Sequence, residues 1–566
     1  MRLRPLVCIA LLLLADCGAY HAARLVVAGG SRTLRERPKD APASSPARPA
    51  LLVLAIDGVD RSLLYDMLRG GELPGLAALL GGTAGNFPHA YFDQDLVATL
   101  PSSTLAAWST AMTGAPPAVH GVTGNEFFIR SERRFAAPAP VSFDDATPVL
   151  ETYTDDYVNN LIGAPTVYEH MRARDPDVLI WVAMHQISRG ADRLLLTRRK
   201  VLVDAFQAYA EKETEEFAEG KRSRKDFEAL DTEVIHDVVA RLDDGPLPDV
   251  LTVYVSGTDL FTHVAPEGPD AARRAYLREV LDPLFVDLRE ALVKRGGLDD
   301  RYVVVTADHG HTQVLHDTVH ALGADPNGGA VALLRLAGFR VRPLMLDVPA
   351  DADFQAVVAY GGALAYVYLS DRSGCPSAGE VCDWTQPPRF DEDVLAVADA
   401  FYTNNIHGAY APELRGTLDM VLIRRPPAAG APLPPFDVYV GKRTLQPVAE
   451  YLRTHPHPTY VDLPARLNEL SVGPHGDRAG DIILIAHSGD RTDPAERYYF
   501  AVPYHSWHGS PARGDSDIPL IVAHPQRSAQ SIGTLVQSAL GPHPHQQRVT
   551  DVLLALRFGA PVFLPQ

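Results

Sequence analysis

The chain has 566 residues, of which 46% are hydrophobic and 22% charged, a composition typical of globular proteins rather than disordered or fibrous ones. Its formal net charge is −18, from 52 Lys and Arg against 70 Asp and Glu. Such a surface repels polyanions, which argues against binding of nucleic-acid polymers through a basic face. A small anionic substrate requires locally placed cations.

Residues 1–23 have the layout of a secretory signal peptide. Two arginines are followed by the apolar run Leu6–Ala15 and by small residues around Cys17, which are the charged, apolar and small regions of such signals. The apolar run is about half as long as a membrane-spanning helix requires, and no later stretch is long enough either. We therefore expect an exported protein, periplasmic or extracellular, cleaved near Ala19 or Ala23. A lipid anchor at Cys17 is the alternative, and it is the only membrane attachment expected.

Three further segments are interpreted as linkers or loops from their composition. Residues 24–50 are rich in Pro, Ala and Arg without hydrophobic periodicity, which predicts a tether, with folded structure from Leu51 onward. Cys375 and Cys382 lie in a turn-rich loop, where an exported protein favours a local disulfide over a metal site. The segment His543-Pro544-His545 is interpreted as a solvated turn.

Continuous apolar runs predict strands that are buried on both faces of a parallel sheet. The clearest are Leu51–Ile56, Asp249–Val255 and Tyr302–Thr306. Amphipathic stretches such as residues 269–295 alternate with them, which predicts an α/β layered fold. In such sheets, polar residues that follow the carboxyl ends of strands gather at one edge and form the functional site.

Acidic residues and histidines follow these predicted strands and recur in one late loop. Taken singly, an Asp after a strand is more often a helix cap or turn former than a metal ligand. Together, the set offers three carboxylates and three imidazoles, which suits two zinc or manganese ions with positions left open for substrate oxygens. The candidate ligands are Asp57, Asp259, His263, Asp308, His309 and His508.

The segment that begins at Thr104 predicts a helix of about ten residues, closed by Gly114 at a C-cap position. Thr104 is then at the helix N-terminus, where free backbone N–H groups and the helix dipole favour an anion. Its hydroxyl is a candidate nucleophile. The alternative is a threonine that merely caps the helix.

The order and spacing of these residues resemble the alkaline phosphatase superfamily, and within it the type I nucleotide pyrophosphatase/phosphodiesterase branch. The resemblance covers most of residues 51–315 and 476–525 and implies a three-layer α/β sandwich with a mostly parallel central sheet. The motifs that carry it are Ile56-Asp57-Gly58, the threonines from Thr104 to Thr113-Gly114, Asn125 after His120-Gly121-Val122, Asp259-x-x-x-His263, Asp308-His309 and His508-Gly509-Ser510-Pro511.

The resemblance also implies a role for each residue. Thr104 attacks phosphorus and carries a phospho-threonine intermediate, and Asn125 binds a non-bridging phosphoryl oxygen. His508 is preferred to His505 because its surroundings fit the closing motif of the family. The implied ligand sets for two zinc ions, with manganese as the alternative metal, are Asp259, His263 and His508 for one ion and Asp57, Thr104, Asp308 and His309 for the other.

The motifs narrow the substrate class. The sequence lacks both the Cys-x-Pro-x-Arg of formylglycine sulfatases and the Asp-Ser-Ala of serine-type alkaline phosphatases around the nucleophile. A Lys-x-Arg pair, carried by similar threonine-type phosphomonoesterases, is missing from residues 181–189, which favours a phosphodiesterase. His185 and Arg189 in that stretch are candidate substrate contacts, with a structural or surface role as the alternative.

The predicted organisation is a metallohydrolase core, residues 51–315 and 476–566, interrupted by a large inserted cap domain, residues 316–475. The predicted function is that of an exported two-metal hydrolase acting on small phosphate esters, phosphodiesters or pyrophosphates first of all. The alternatives are a phosphomonoesterase, a phosphoryl or phosphoethanolamine transferase with the same intermediate, and a binding protein that keeps the fold without turnover. No oligomeric state is predicted.

Overall fold

The fold is described from a computed structural model of the full chain. The residues that it describes are 31–36, 48–143, 145, 147–197, 201, 224–243, 245–428, 431–488 and 493–559. The predicted signal peptide, including Cys17, lies outside the described residues. No helix within these ranges is both long enough and apolar enough to cross a bilayer.

Strands and helices alternate along much of the chain. The strands, in chain order, are β1 (Arg32–Thr33), β2 (Ala50–Ile56), β3 (Ala90–Phe92), β4 (Phe127–Ile129), β5 (Arg134–Ala136), β6 (Ile180–Ala183), β7 (Arg193–Leu195), β8 (Val250–Val255), β9 (Arg301–Thr306), β10 (Thr312–Gln313), β11 (Ala356–Tyr360), β12 (Leu364–Leu369), β13 (Leu418–Ile423), β14 (Asp437–Tyr439), β15 (Leu445–Pro447), β16 (Ile482–Ala486), β17 (Ser506–Trp507) and β18 (Leu520–Ala523). The α-helices are Arg61–Gly70, Pro74–Leu79, Thr104–Thr113, Pro117–His120, Thr147–Thr154, Tyr157–Leu161, Val167–Arg174, Lys225–Asp243, Gly257–Val264, Pro269–Tyr276, Asp282–Val293, Gly329–Leu336, Leu395–His407, Val448–Thr454, Leu463–Ser471, Arg513–Ser516, Ala529–Leu540 and Arg548–Phe558.

The large sheet has eight strands in the order β1-β7-β6-β8-β2-β9-β18-β3. The strands from β7 to β9 run parallel, and the pairs at either edge are antiparallel. Every residue of β8 and β9 is buried, as is every residue of β2 except Ala50. Because successive side chains of a strand point to opposite faces, both faces are covered and the sheet is the middle layer of three. The predicted α/β fold with a mostly parallel central sheet is confirmed.

A second sheet has six strands, all antiparallel, in the order β11-β12-β16-β13-β14-β15. Since β16 lies in its middle, the expectation that the core resumes with this strand, from residue 476, is wrong. The chain returns to the large sheet only at β18. The apolar run of β16 is buried along its whole length. Such a run is compatible with either sheet, so its sequence does not indicate which sheet it joins.

Part of the predicted tether, residues 24–50, belongs to the large sheet. β1 pairs with β7, with Arg32 opposite Leu194, and Ala50 is the first residue of β2. Folded structure thus begins before Leu51. Pairing at an open sheet edge uses main-chain N–H and C=O groups and requires no hydrophobic periodicity, so composition could not indicate it.

The predicted disulfide is confirmed. Cys375 and Cys382 are bonded, with their Cα atoms 5.1 Å apart, and both are buried. They pack in the apolar cluster that contains Trp384, whose ring lies 4.7 Å from that of Phe128. The disulfide therefore holds the loop against the core of the second sheet.

His545 is not in the solvated turn that its Pro-rich surroundings predict. Its side chain is 7% exposed, with Nδ1 2.7 Å from Glu469 and Nε2 3.0 Å from Asp462. Burial acts to lower the pKa of His545, but the Glu469 carboxylate outweighs it, so that the pKa is raised above 6.5. The acidic partners come from the helix Leu463–Ser471 and the residue before it, which the local sequence of His545 does not reveal.

Replacing His545 with Gln is expected to lower the free energy of unfolding by about 2 kcal/mol in mildly acidic solution, the size of a hydrogen bond to a charged group. A raised pKa in the folded state means that the contribution is complete below the unfolded pKa of 6.5 and is lost as the pH rises through the folded value. Urea unfolding of both proteins across this pH range measures the difference. A difference that stays constant with pH would contradict the charged pair.

Candidate metal centre and substrate pocket

Three aspartates meet where parallel strands end. β2 lies between β8 and β9 in parallel register, so the residues after these strands share one edge of the sheet. Asp57 directly follows β2, Asp308 follows β9, and Asp259 lies in the first turn of the helix Gly257–Val264 after β8. All three residues are buried, with no more than 6% exposed.

Asp57, Asp308 and His309 form the first group of ligand atoms. Each carboxylate has one oxygen hydrogen-bonded inside the protein. Asp57 Oδ2 accepts from the Tyr254 hydroxyl, and Asp308 Oδ1 accepts from the backbone N–H groups of Gly58 and His309 at 3.1 and 3.0 Å. The second oxygens, Asp57 Oδ1 and Asp308 Oδ2, accept no hydrogen bond from any described residue.

These two free oxygens lie 3.5 and 3.4 Å from His309 Nε2. Ligand atoms that surround a zinc ion tetrahedrally at about 2.1 Å are about 3.4 Å from one another. The spacing of these three atoms therefore fits the ligands of one divalent cation. The two carboxylate oxygens accept no hydrogen bond from any described residue at these positions.

Asp259 joins the remaining histidines. Its Oδ1 lies between His263 Nε2, at 3.5 Å, and His508 Nε2, at 3.8 Å, and His309 Nε2 is 4.0 Å away. The compact groups of ligand atoms are Asp259 with His309 and His508, and Asp259 with His263 and His311. The structure thus brings all six candidate ligands together in three adjoining groups, of which the first two share His309 and the last two share Asp259.

Three of the histidines are oriented through their Nδ1 atoms. Those of His263, His309 and His508 lie 2.9, 3.0 and 3.0 Å from backbone carbonyl oxygens. A carbonyl only accepts, so Nδ1 carries the proton and the lone pair is on Nε2, the atom that faces the aspartates. Burial lowers the pKa of His309, and that of His508 to about 4, which keeps both rings neutral. Neutral rings with a free Nε2 are ready to bind a metal ion.

The electrostatics also favour a cation. Burial raises the pKa of Asp57, and the neighbouring charges of Asp308 and Asp259 raise it further. Burial also raises the pKa of Asp308, to about 7. A divalent cation between carboxylates this close keeps them ionised, and carboxylate oxygens with neutral imidazoles suit zinc or manganese.

Thr104 borders the first group of ligand atoms. It begins the helix Thr104–Thr113, which Gly114 closes in the left-handed conformation at φ 71°, so the predicted helix is confirmed. Thr104 Oγ1 lies 3.3 Å from His309 Nε2, and the residue lines a pocket over the ligand atoms. The hydroxyl therefore lies between the candidate metal centre and the space open to a substrate.

Asn125 lines the same pocket. Its Oδ1 accepts from the Leu105 backbone N–H at 3.0 Å. Since an amide nitrogen cannot accept this bond, the contact fixes which atom is Oδ1 and leaves the Nδ2 donors free for another acceptor. Because Asn125 and Thr104 line the same pocket, these N–H groups are available to an oxygen bound there.

Two neighbours of the ligands were not predicted. His311, 4% exposed, places Nε2 2.7 Å from Asp259 Oδ1 and Nδ1 3.1 Å from Ser506 Oγ. A Cβ on Gly58, which has φ +70°, would lie 2.8 Å from His311 Nε2, so the ring occupies space that only glycine leaves. Tyr254, which donates to Asp57, is the other. The second histidine of Asp308-His309-Gly310-His311 was the available signal for His311.

His185 and Arg189 do not line this pocket, and the prediction that they contact substrate is corrected. His185 is 1% exposed and packs edge-on against Trp108, with ring centroids 5.0 Å apart. Arg189 donates to the Glu169 carboxylate at 3.1 Å and to backbone carbonyls such as that of Ile162 at 2.9 Å. After β6, the residues that reach the pocket are instead Met184 and Gln186.

An α/β fold with Asp and His side chains grouped at the ends of parallel strands is typical of metal-dependent hydrolases. The sequence profile of type I phosphodiesterases/nucleotide pyrophosphatases matches residues 51–343, and the chain belongs to this family. A crystal structure of phosphonoacetate hydrolase from Sinorhizobium meliloti 1021, in complex with phosphonoformate, is similar at 18% identity, with a TM-score of 0.46 over 93% of this chain and 99% of that one.

Proposed function

We propose that the chain is an exported enzyme that hydrolyses phosphodiester or pyrophosphate bonds, with two zinc ions and a phospho-threonine intermediate on Thr104. One observation carries this proposal. Two buried carboxylate oxygens that accept no hydrogen bond from the part of the chain described, Asp57 Oδ1 and Asp308 Oδ2, converge on His309 Nε2 beside the Thr104 hydroxyl. Leaving such charges buried without a cation is costly, so the cluster is best explained as a metal centre.

The residues divide between two ions, with manganese as the alternative metal. The proposed ligands are Asp57, Thr104, Asp308 and His309 for one ion and Asp259, His263 and His508 for the other. When bound, the ions supply positive charge that favours an ionised hydroxyl and stabilises charge on phosphoryl oxygens.

Thr104 acts as the nucleophile. Its Oγ1 forms a bond to phosphorus while the bond to the leaving oxygen breaks, and the proton of the threonine hydroxyl passes through solvent to the departing oxygen. Asn125 Nδ2 and the backbone N–H of Thr104 donate to the non-bridging oxygens, where negative charge accumulates. Water then attacks phosphorus, the bond to Thr104 breaks, and the threonine regains a proton.

The test is metal analysis of the purified full chain, followed by hydrolysis assays on an aryl phosphodiester, a nucleotide pyrophosphate, an aryl phosphate monoester and an aryl sulfate. The proposal expects about two zinc ions per chain and the highest kcat/KM on a diester or pyrophosphate. A monoester preference would favour a phosphatase instead. Protein without bound metal and without activity on any of these substrates would overturn the proposal.

His311 is expected to hold the Asp259 carboxylate in place for its metal ion. Because partners that hydrogen-bond a ligand typically change affinity about 10- to 100-fold, His311→Ala should weaken zinc binding by that factor, as measured by competition with a chromogenic chelator. His311→Gln, which keeps a polar side chain of similar reach, should recover part of it. His316→Ala, at an exposed position five residues along, is the control and should leave affinity unchanged. Wild-type affinity in His311→Ala would contradict this role.

Export is proposed from the N-terminal sequence and is supported by the Cys375–Cys382 disulfide, a bond typical of oxidising compartments. Expression of the full chain in a Gram-negative host, followed by fractionation and intact mass measurement, tests it. Cleavage near Ala19 or Ala23 and recovery outside the cytoplasm are expected. A mature chain that begins at a lipid-modified Cys17 would replace simple cleavage, and an uncleaved cytoplasmic chain would contradict export.

A further inference from the structure

The pocket over the candidate metal centre is largely apolar away from the ligands, and its other polar lining residues, including Thr152, Gln186 and Ser256, are uncharged. Its floor carries Asp57, Asp259, His263 and His508, together with Thr104 and Asn125. The apolar part of its wall includes Val141, Val149, Leu230, Leu260, Tyr153 and Trp507. Among the described lining residues there is no lysine or arginine.

This composition bears on the group attached to phosphorus. Because Thr104 and the apolar residues line the same pocket, a phosphoryl group at Thr104 leaves that space for its organic substituent. A substituent with its own phosphate or carboxylate loses water there and meets no described cation of the protein, which is unfavourable. An uncharged hydrocarbon substituent gains from burial in the same space.

We propose that the substrate is a phosphodiester whose substituent in this pocket is uncharged and apolar, an alkyl or aryl ester, and that groups with a further negative charge are disfavoured. This deepens the proposed function and rests on it. It removes pyrophosphates from the two bond types considered above and identifies the wall around Val141, Val149 and Leu260 as the determinant of specificity.

The source of such a group is either a small alcohol or a lipid chain, and the length of the pocket decides between them. Each buried methylene contributes about 0.8 kcal/mol, which corresponds to about fourfold in affinity. Affinity for a straight-chain ligand therefore rises until the chain fills the pocket. A rise that ends at a short chain indicates a small ester, and one that continues to long chains indicates a lipid.

Calorimetric titration of the zinc-loaded full chain with alkylphosphonates tests the proposal, because these ligands carry one organic group and are stable. We expect affinity to increase about fourfold per methylene from methyl- to butylphosphonate. A carboxyalkylphosphonate of equal length is expected to bind at least tenfold more weakly than its alkyl counterpart. Affinity independent of chain length, or a preference for the carboxylate, would overturn the proposal.

A positive charge introduced into the apolar wall provides a second test of the proposal. Val149 is half-buried on the helix Thr147–Thr154, so Val149→Arg keeps its charged end within reach of water. This variant is expected to reverse the preference towards the carboxyalkylphosphonate. Val149→Met, which adds length without charge, should keep the alkyl ligand ahead. An Arg variant with an unchanged preference would contradict the location of the binding pocket.

Hydrolysis of an aryl diester by wild type and by Thr104→Ala, measured in parallel, tests the proposed function separately from the apolar pocket. Thr104-dependent hydrolysis with a flat chain-length series would overturn the apolar pocket and leave the proposed function standing. A steep series without Thr104-dependent hydrolysis would overturn the proposed function itself.

Discussion

Thr104→Ala is expected to lower kcat on an aryl phosphodiester by about four orders of magnitude or more, the scale on which loss of a covalent nucleophile acts. The zinc content should stay near that of wild type, because the remaining ligands bind through side chains that the substitution does not touch. Stopped-flow or endpoint assays, combined with metal analysis of the same preparation, measure both quantities.

Two variants control for changes in the helix that carries Thr104. Thr104→Ser keeps a hydroxyl and should retain measurable turnover. Thr113→Ala removes a hydroxyl at the other end of the same helix, where it donates to the Ser109 carbonyl at 2.6 Å, and should leave kcat near wild type. Wild-type rates in Thr104→Ala would eliminate Thr104 as the nucleophile.

The second large effect is expected for Asp308→Asn. Asp308 Oδ1 accepts from the backbone N–H groups of Gly58 and His309, and the asparagine oxygen can take over this role, so the fold should be preserved. The amide nitrogen then occupies the place of Oδ2 and cannot donate electrons to a metal ion. We expect a decrease of about a hundredfold or more in affinity for one of the two ions, with a parallel loss of activity.

Equilibrium dialysis against zinc, with circular dichroism as the test of folding, measures this loss. The control is Asp299→Asn, at an exposed aspartate in the turn before β9, whose zinc content should match that of wild type. Asp308→Asn protein with full metal content and normal activity would show that Asp308 is not a ligand.

The grouping of the candidate ligands was largely readable from the sequence. Asp57 and Asp308 follow apolar runs that had to be central strands, and residue type together with position predicted that they would lie at the same sheet edge. The position of Thr104 at a helix N-terminus was recognisable because the helix has a clear end at Gly114. These signals are local, and the parallel sheet brings them together.

The parts that were missed depend on contacts between distant segments. The role of His311 requires Ser506 on one side and the bare backbone of Gly58 on the other, and nothing near residue 311 indicates either. Arg189 appeared available to an anion, but carbonyl groups of a neighbouring loop bind its guanidinium. The strand β16 is apolar enough for either sheet, so only its partners decide where it belongs.

The central claim is that Thr104 carries the phosphoryl group during turnover, and the most direct measurement is acid quenching during steady-state hydrolysis of a phosphodiester, followed by peptide mapping by mass spectrometry. We expect an adduct on the peptide that contains Thr104, with the mass of the phosphoryl group and its retained substituent, and none in Thr104→Ala. Rapid turnover without an adduct, together with inversion of configuration at phosphorus in a chiral substrate, would show direct attack by water and contradict the account.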